Sequence, residues 1–145
     1  MAHQTEYLDR MAAGFPGMLS DTGHYDNDSM TVVTADVPFG APVAYGTEDR
    51  TCRPMAAGDT RIAGVAIRIQ GGRPESGDNF KIGETASIMK HGRMYVTASV
   101  AVTAGEPAHV VLTTGAWTNT GGLAVPGAVY ETGAAAGGLA VIRLT

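Results

Sequence analysis

The sequence predicts an all-β chain, an antiparallel sandwich or small barrel of jelly-roll kind, with an extended N-terminal arm. Three observations lead there. Gly and Pro are dense, 20 and 7 in 145 residues, where globular chains average roughly 7% Gly. Charged residues are only 17%, against a usual value of about 25%. Between Met94 and Val102 the residues alternate, with Met94, Val96, Ala98, Val100 and Val102 on one face and Tyr95, Thr97, Ser99, Ala101 and Thr103 on the other. A period of two marks a half-buried strand, whereas Gly, Val and Thr are mediocre helix formers.

Residues 1–29 read as the arm and residues 30–145 as the β domain. Within the arm, Glu6 to Ala13 suits a short helix, with Tyr7, Leu8 and Met11 at helical spacing, and Gly14, Pro16 and Gly17 end it. Phe15, Met18 and Leu19 then sit on backbone that favours turns or extended geometry. Such an apolar arm either packs across its own domain or lies on a partner.

Strand candidates follow at Met30–Ala35, at Ala41–Tyr45 after the bend Pro38-Phe39-Gly40, and at Arg61–Ile69. Gly46 to Gly58 reads as a polar connection, and Gly71 to Asp78 as a loop. Gly83 to Leu112 reads as two consecutive β-hairpins. A three-residue turn at Lys90-His91-Gly92 would pair Ile88 with Met94 and Ala86 with Val96, with Gly92 supplying the positive φ such a turn needs. Trp117 falls in a turn-rich stretch, Thr113 to Gly122, and the last strands are Val125–Glu131 and Leu139–Leu144. Gly-Gly-Leu-Ala-Val occurs at 121–125 and again at 137–141, too few copies for a repeat architecture.

Residues that carry chemistry are sparse. A net charge of −4 argues against a nucleic-acid surface, and Lys90, His91 and Arg93 form the one local basic group, read as a solvated turn. Cys52 is the sole cysteine, so no internal disulfide exists, and a buried inert thiol is expected. His3, His24, His91 and His109 show no metal-ligand spacing, and no nucleophile elbow or phosphate-binding glycine loop is present. Asp21 and Asp26-Asn27-Asp28-Ser29 space oxygens as a hard-cation loop does, but turn-forming Asx residues explain the run without metal. No apolar run reaches membrane-span length and no signal pattern opens the chain, so a soluble protein made in a reducing compartment is expected. No catalytic residue, cofactor or metal is expected.

The order of segments resembles the structural cement, or head decoration, proteins of tailed bacteriophages. The matching pieces are Phe15-Pro16-Gly17-Met18, Asp36 to Val43, Ile62 to Ala66, Gly83 to Ile88, Gly92 to Val96 and Ala104 to Val110. The resemblance implies a jelly-roll-like domain on the outer surface of an assembled phage head. It would bridge neighbouring major capsid subunits and self-associate, as a dimer by preference or as a trimer, with no enzymatic residues, no nucleic acid and no membrane. The residues expected at partner contacts are Met11, Phe15, Pro16, Met18, Tyr95, Thr97 and Trp117. Two other readings stand beside it. A β-barrel nucleotide hydrolase would use Asp21, Asp26 and Asp28 around a divalent ion. A glycan- or receptor-binding sandwich would stack a sugar on Trp117 and Tyr130.

Overall fold

The computed structural model describes residues 14–20, 23, 25–68 and 79–145. The Glu6–Ala13 helix, the Gly71–Asp78 loop, Met11 and Asp21 lie outside the described residues. Among the described residues every regular element is a strand: β1 (Asp26–Val32), β2 (Val37–Pro38), β3 (Pro42–Tyr45), β4 (Thr51–Pro54), β5 (Gly64–Ala66), β6 (Asn79–Phe80), β7 (Thr85–Thr97), β8 (Pro107–Val111), β9 (Ala116–Thr118), β10 (Leu123–Tyr130) and β11 (Leu139–Leu144).

The pairings close two rings that share one strand. In the first, β1 pairs with β4, β4 with β3, β3 with β5, β5 with β7, and β7 again with β1. All of these are antiparallel except β1–β4, where Thr31 faces Thr51 and Val32 faces Cys52. In the second, β7 pairs with β11, β11 with β10, β10 with β8 and β8 with β9. A parallel bridge between Ala98 and Trp117 closes it. The architecture is a pair of small barrels with β7 as their common wall, and closure leaves few strand edges exposed.

Each ring encloses its own core. Met30, Val32, Val43, Cys52, Ala66, Ala86 and Ile88 fill the first, and Val37, Phe39 and Phe80 close one end. The Phe39 and Phe80 rings meet edge-on, with centroids 5.0 Å apart. Met94, Val96, Ala98, Val110, Tyr130, Ala140 and Ile142 fill the second. Val65 and Met89, on the other face of the first barrel's wall, also join the second core, so β5 and part of β7 are buried on both faces.

Both expected hairpins are corrected by the register. No turn occurs at Lys90-His91-Gly92; β7 runs through it. Ala86 pairs with Met30 and Met94 with Ile142, so Val96 and Ile88 are not their partners. Asp26 opposes His91 while Asn27 opposes Met89, which leaves Lys90 as an extra residue. This is a β-bulge, and the positive φ of Gly92 (127°) accompanies it. Likewise the chain turns at Thr103–Glu106, where the Glu106 N–H donates to the Thr103 carbonyl. The following strand β8 pairs with β9 and β10 instead of folding back on residues 94–102.

Elsewhere the polar connection Gly46–Gly58 contains β4, and the turn-rich Thr113–Gly122 contains β9. β1 begins at Asp26, four residues before the expected start, and β11 coincides with Leu139–Leu144. The alternation of 94–102 holds except at Val100, which is exposed.

Candidate interaction surface

Residues 14–20 run along β7 and are sewn to it by backbone hydrogen bonds. The Gly17 N–H donates to the Tyr95 carbonyl (2.8 Å), the Tyr95 N–H to the Met18 carbonyl (2.9 Å) and the Ser20 N–H to the Arg93 carbonyl (3.1 Å). A bridge pairs Leu19 with Met94. From the first barrel, the Arg68 N–H donates to the Gly17 carbonyl (2.8 Å) and Arg68 Nε to the Pro16 carbonyl (2.9 Å). The Arg68 guanidinium lies over Phe15 and Phe39, 5.3 and 5.1 Å from the ring centroids.

Gly17 is the crux of this packing. Its φ is 85°, and a Cβ there would stand 2.9 Å from the backbone nitrogens of Arg68 and Gly40. Only glycine lets the two barrels and the arm meet so closely.

That meeting point opens into a groove of about 680 Å³, walled by Phe15, Pro16, Phe39, Pro42, Pro54, Met55, Thr97 and Trp117 among others. Among the described residues of its lining, Arg68 is the one that is charged. Of the residues expected at partner contacts, Phe15, Pro16, Thr97 and Trp117 are brought together here. Phe15, 56% exposed, and Thr97 are its open members. Met18 and Tyr95 do not line the groove; both are half-buried, and the Tyr95 ring lies against Gly14.

Trp117 is only 2% exposed, and its Nε1–H donates to the Gly40 carbonyl (2.8 Å). Tyr130 is fully buried, with its hydroxyl donating to the Thr118 carbonyl (2.8 Å). Burial and, secondarily, Glu106 push its pKa up to about 12. Neither ring offers a face to a sugar, so the stacking platform expected of this pair is corrected: both are core residues.

In the acidic run at the start of β1, Asp28 is engaged by protein cations. Asp28 meets Arg50 at 2.8 Å and Lys90 at 3.5 Å. The Ser29 N–H, then Arg50 and Lys90, hold its pKa below the ordinary value. Lys90, at the bulge, also reaches the Tyr45 hydroxyl (3.3 Å), and Arg61 lies over the same ring. Among the described residues no three His, Cys, Asp or Glu side chains gather as a metal set. His109 Nδ1 lies 2.9 Å from the Gly121 carbonyl. Cys52 is sealed in the first core, and burial pushes its thiol up to about 11.

Sequence reading missed Phe39, Met55 and Arg68 as groove residues. The available signals were a Phe on a Pro-Phe-Gly bend and an Arg inside an otherwise apolar strand word.

The fold has relatives among solved structures. A chain described as the capsid of Myoviridae phage XM1 superposes with a TM-score of 0.80 at 19% identity, covering 100% of this chain and 98% of that one. The N base of head fiber gp8.5 of bacteriophage phi29 matches at 0.56 with 14% identity, over 84% and 95% of the two chains. Among curated proteins no sequence matches. The family model for the structural cement protein (E217 gp24/Pam3 gp6) matches residues 3–145, and the chain therefore belongs to the phage structural cement protein family.

Proposed function

We propose that this protein is a non-enzymatic cement of a phage head, binding the outer surface of the assembled shell and bridging neighbouring major capsid subunits. The family match over nearly the whole chain carries the reading. Supporting it, charged groups of the first barrel are paired with one another, as in the Asp28–Arg50 and bidentate Arg53–Asp59 pairs. A rigid module with many modest contacts suits cementing. Each copy engages two or more shell subunits at once, and the second contact gains from the effective concentration set by the first. The groove at Phe15, Pro16 and Thr97, with the buried Trp117 beneath it, is the apolar surface offered to a shell segment, and self-association, dimeric by preference, would add valency.

The test uses emptied heads of the phage that encodes the chain. Purified protein is sedimented with them across a concentration series, and decorated heads are reconstructed by electron microscopy. Saturable binding at a fixed copy number, with density on the outer face between capsid subunits, is expected. Absence from purified virions together with no co-sedimentation overturns the reading.

A further inference from the structure

The outward face of β7 and β11 carries a like-charge pairing. Arg93 and Arg143 are direct cross-strand partners, and like charges placed opposite one another cost stability. Glu131, next to the end of β10, lies between them. Its Oε1 is 3.1 Å from Arg143 Nε and 3.9 Å from Arg93 Nε. The shorter approach is off the line of a hydrogen bond, since Glu131 Oε1 and Arg143 Nε are both shielded from solvent without a hydrogen-bond partner. Glu131 therefore steadies the two guanidiniums by charge, without locking the Arg143 fork in place.

The Arg143 side chain is 44% exposed and that of Arg93 41%. Beside them opens a cleft of about 410 Å³, lined also by His91, Gly92 and Leu144. The terminal nitrogens of Arg143 make no hydrogen bond among the described residues. Arg53, by contrast, is held by both oxygens of Asp59. A planar guanidinium fork beside a cleft matches a carboxylate, which it takes through two parallel hydrogen bonds. A doubly charged phosphate would suffer more from Glu131 in the same site than a singly charged carboxylate does.

We propose that Arg143, with Arg93 beside it, is the contact for an acidic side chain of the shell protein, which enters this cleft and is held by the Arg143 fork. The inference rests on the cement reading and names the chemistry of the partner at one of its contacts.

The experiment measures binding of the full chain to emptied heads, comparing the unaltered protein with Arg143→Glu, Arg143→Gln, Arg143→Lys and, as a control of equal charge change, Lys81→Glu in an exposed loop. Arg143→Glu is expected to weaken binding at least tenfold and Lys81→Glu less than twofold. Arg143→Lys should recover little, because an ammonium lacks the fork. Arg143→Gln should weaken binding while its melting temperature stays level or rises, since it relieves the like-charge pair. A merely structural Arg143 would instead lower the melting temperature and leave binding by the folded fraction unchanged, which overturns the inference. Equal binding by Arg143→Glu and Lys81→Glu overturns it too while the cement reading stands. No binding by the unaltered chain overturns the cement reading, and this inference with it.

Discussion

Trp117 separates two accounts of the same residue. As a surface contact its removal would leave stability alone and weaken docking. The structure places it in the second core, paired with Val110 across β8–β9, while its Nε1–H reaches the Gly40 carbonyl at the end of the first barrel. The indole is a pin between the barrels. Trp117→Phe keeps an aromatic ring but leaves the Gly40 carbonyl buried without its donor, a cost of about 1–3 kcal/mol. Trp117→Ala also leaves a cavity and costs about 3–5 kcal/mol.

Urea unfolding followed by far-ultraviolet circular dichroism measures both, because the variants lack the sole tryptophan needed for fluorescence. The midpoint should fall in the order unaltered, Phe, Ala, with the slope unchanged. Two variants within about 0.5 kcal/mol of the unaltered protein, the range of an ordinary surface change, would refute the pin and return Trp117 to the docking surface.

Three further outcomes are expected. Gly17→Ala forces a side chain into left-handed backbone against two backbone nitrogens and should cost about 2–4 kcal/mol, read as a lowered thermal midpoint. Asp59 has its pKa lowered chiefly by the Arg53 hydrogen bond and then by the Ala56 N–H. Its stabilisation is therefore full above the ordinary carboxylate value of 3.8 and is lost as pH falls below it toward the depressed folded value. Thermal midpoints measured from pH 6 to pH 2 should drop more steeply for the unaltered protein than for Asp59→Asn. Cys52, buried with a thiol pKa of about 11, should stay unmodified by iodoacetamide at pH 8 in the folded state and react in urea; rapid labelling of native protein would show that the first core opens.

The strands legible in the sequence are those with their own pattern. β11 is an apolar run, broken only by Arg143, that follows Gly137-Gly138, and the first residues of β8 and β10 follow turn signals. β4 and β9 were illegible because they are short and sit inside polar, turn-rich stretches, and each becomes a strand only through distant partners. Thr51 and Cys52 are buried because β1 and β3 flank them. The groove shows the same division. Phe15, Pro16 and Trp117 are singled out by rarity and by backbone chemistry, but what covers Trp117 is a carbonyl 77 residues away. Burial is decided by such pairings, which no local pattern contains.

The stretch around Gly92 makes the point most sharply, and yields a prediction of its own. A three-residue hairpin turn and a β-bulge ask for the same things: one unpaired residue and a positive φ beside it. They differ in what happens to the faces. A hairpin would bring Ile88 and Met94 together on one face. The bulge at Lys90 shifts the alternation by one residue, so Ile88 stays in the first core while Met89 and Met94 both face the second. What decides between them is that β1 and β11 occupy the edges of β7, from positions far outside any local window. Because β7 walls both barrels, strain at Gly92 should be felt in both. Gly92→Ala places a Cβ 2.9 Å from that of Tyr25 at a φ of 127°, costing at least about 1–2 kcal/mol. Amide hydrogen exchange should then lose protection in β1 and in β11 together. Loss confined to one barrel would mean that β7 couples them less tightly than a shared wall must.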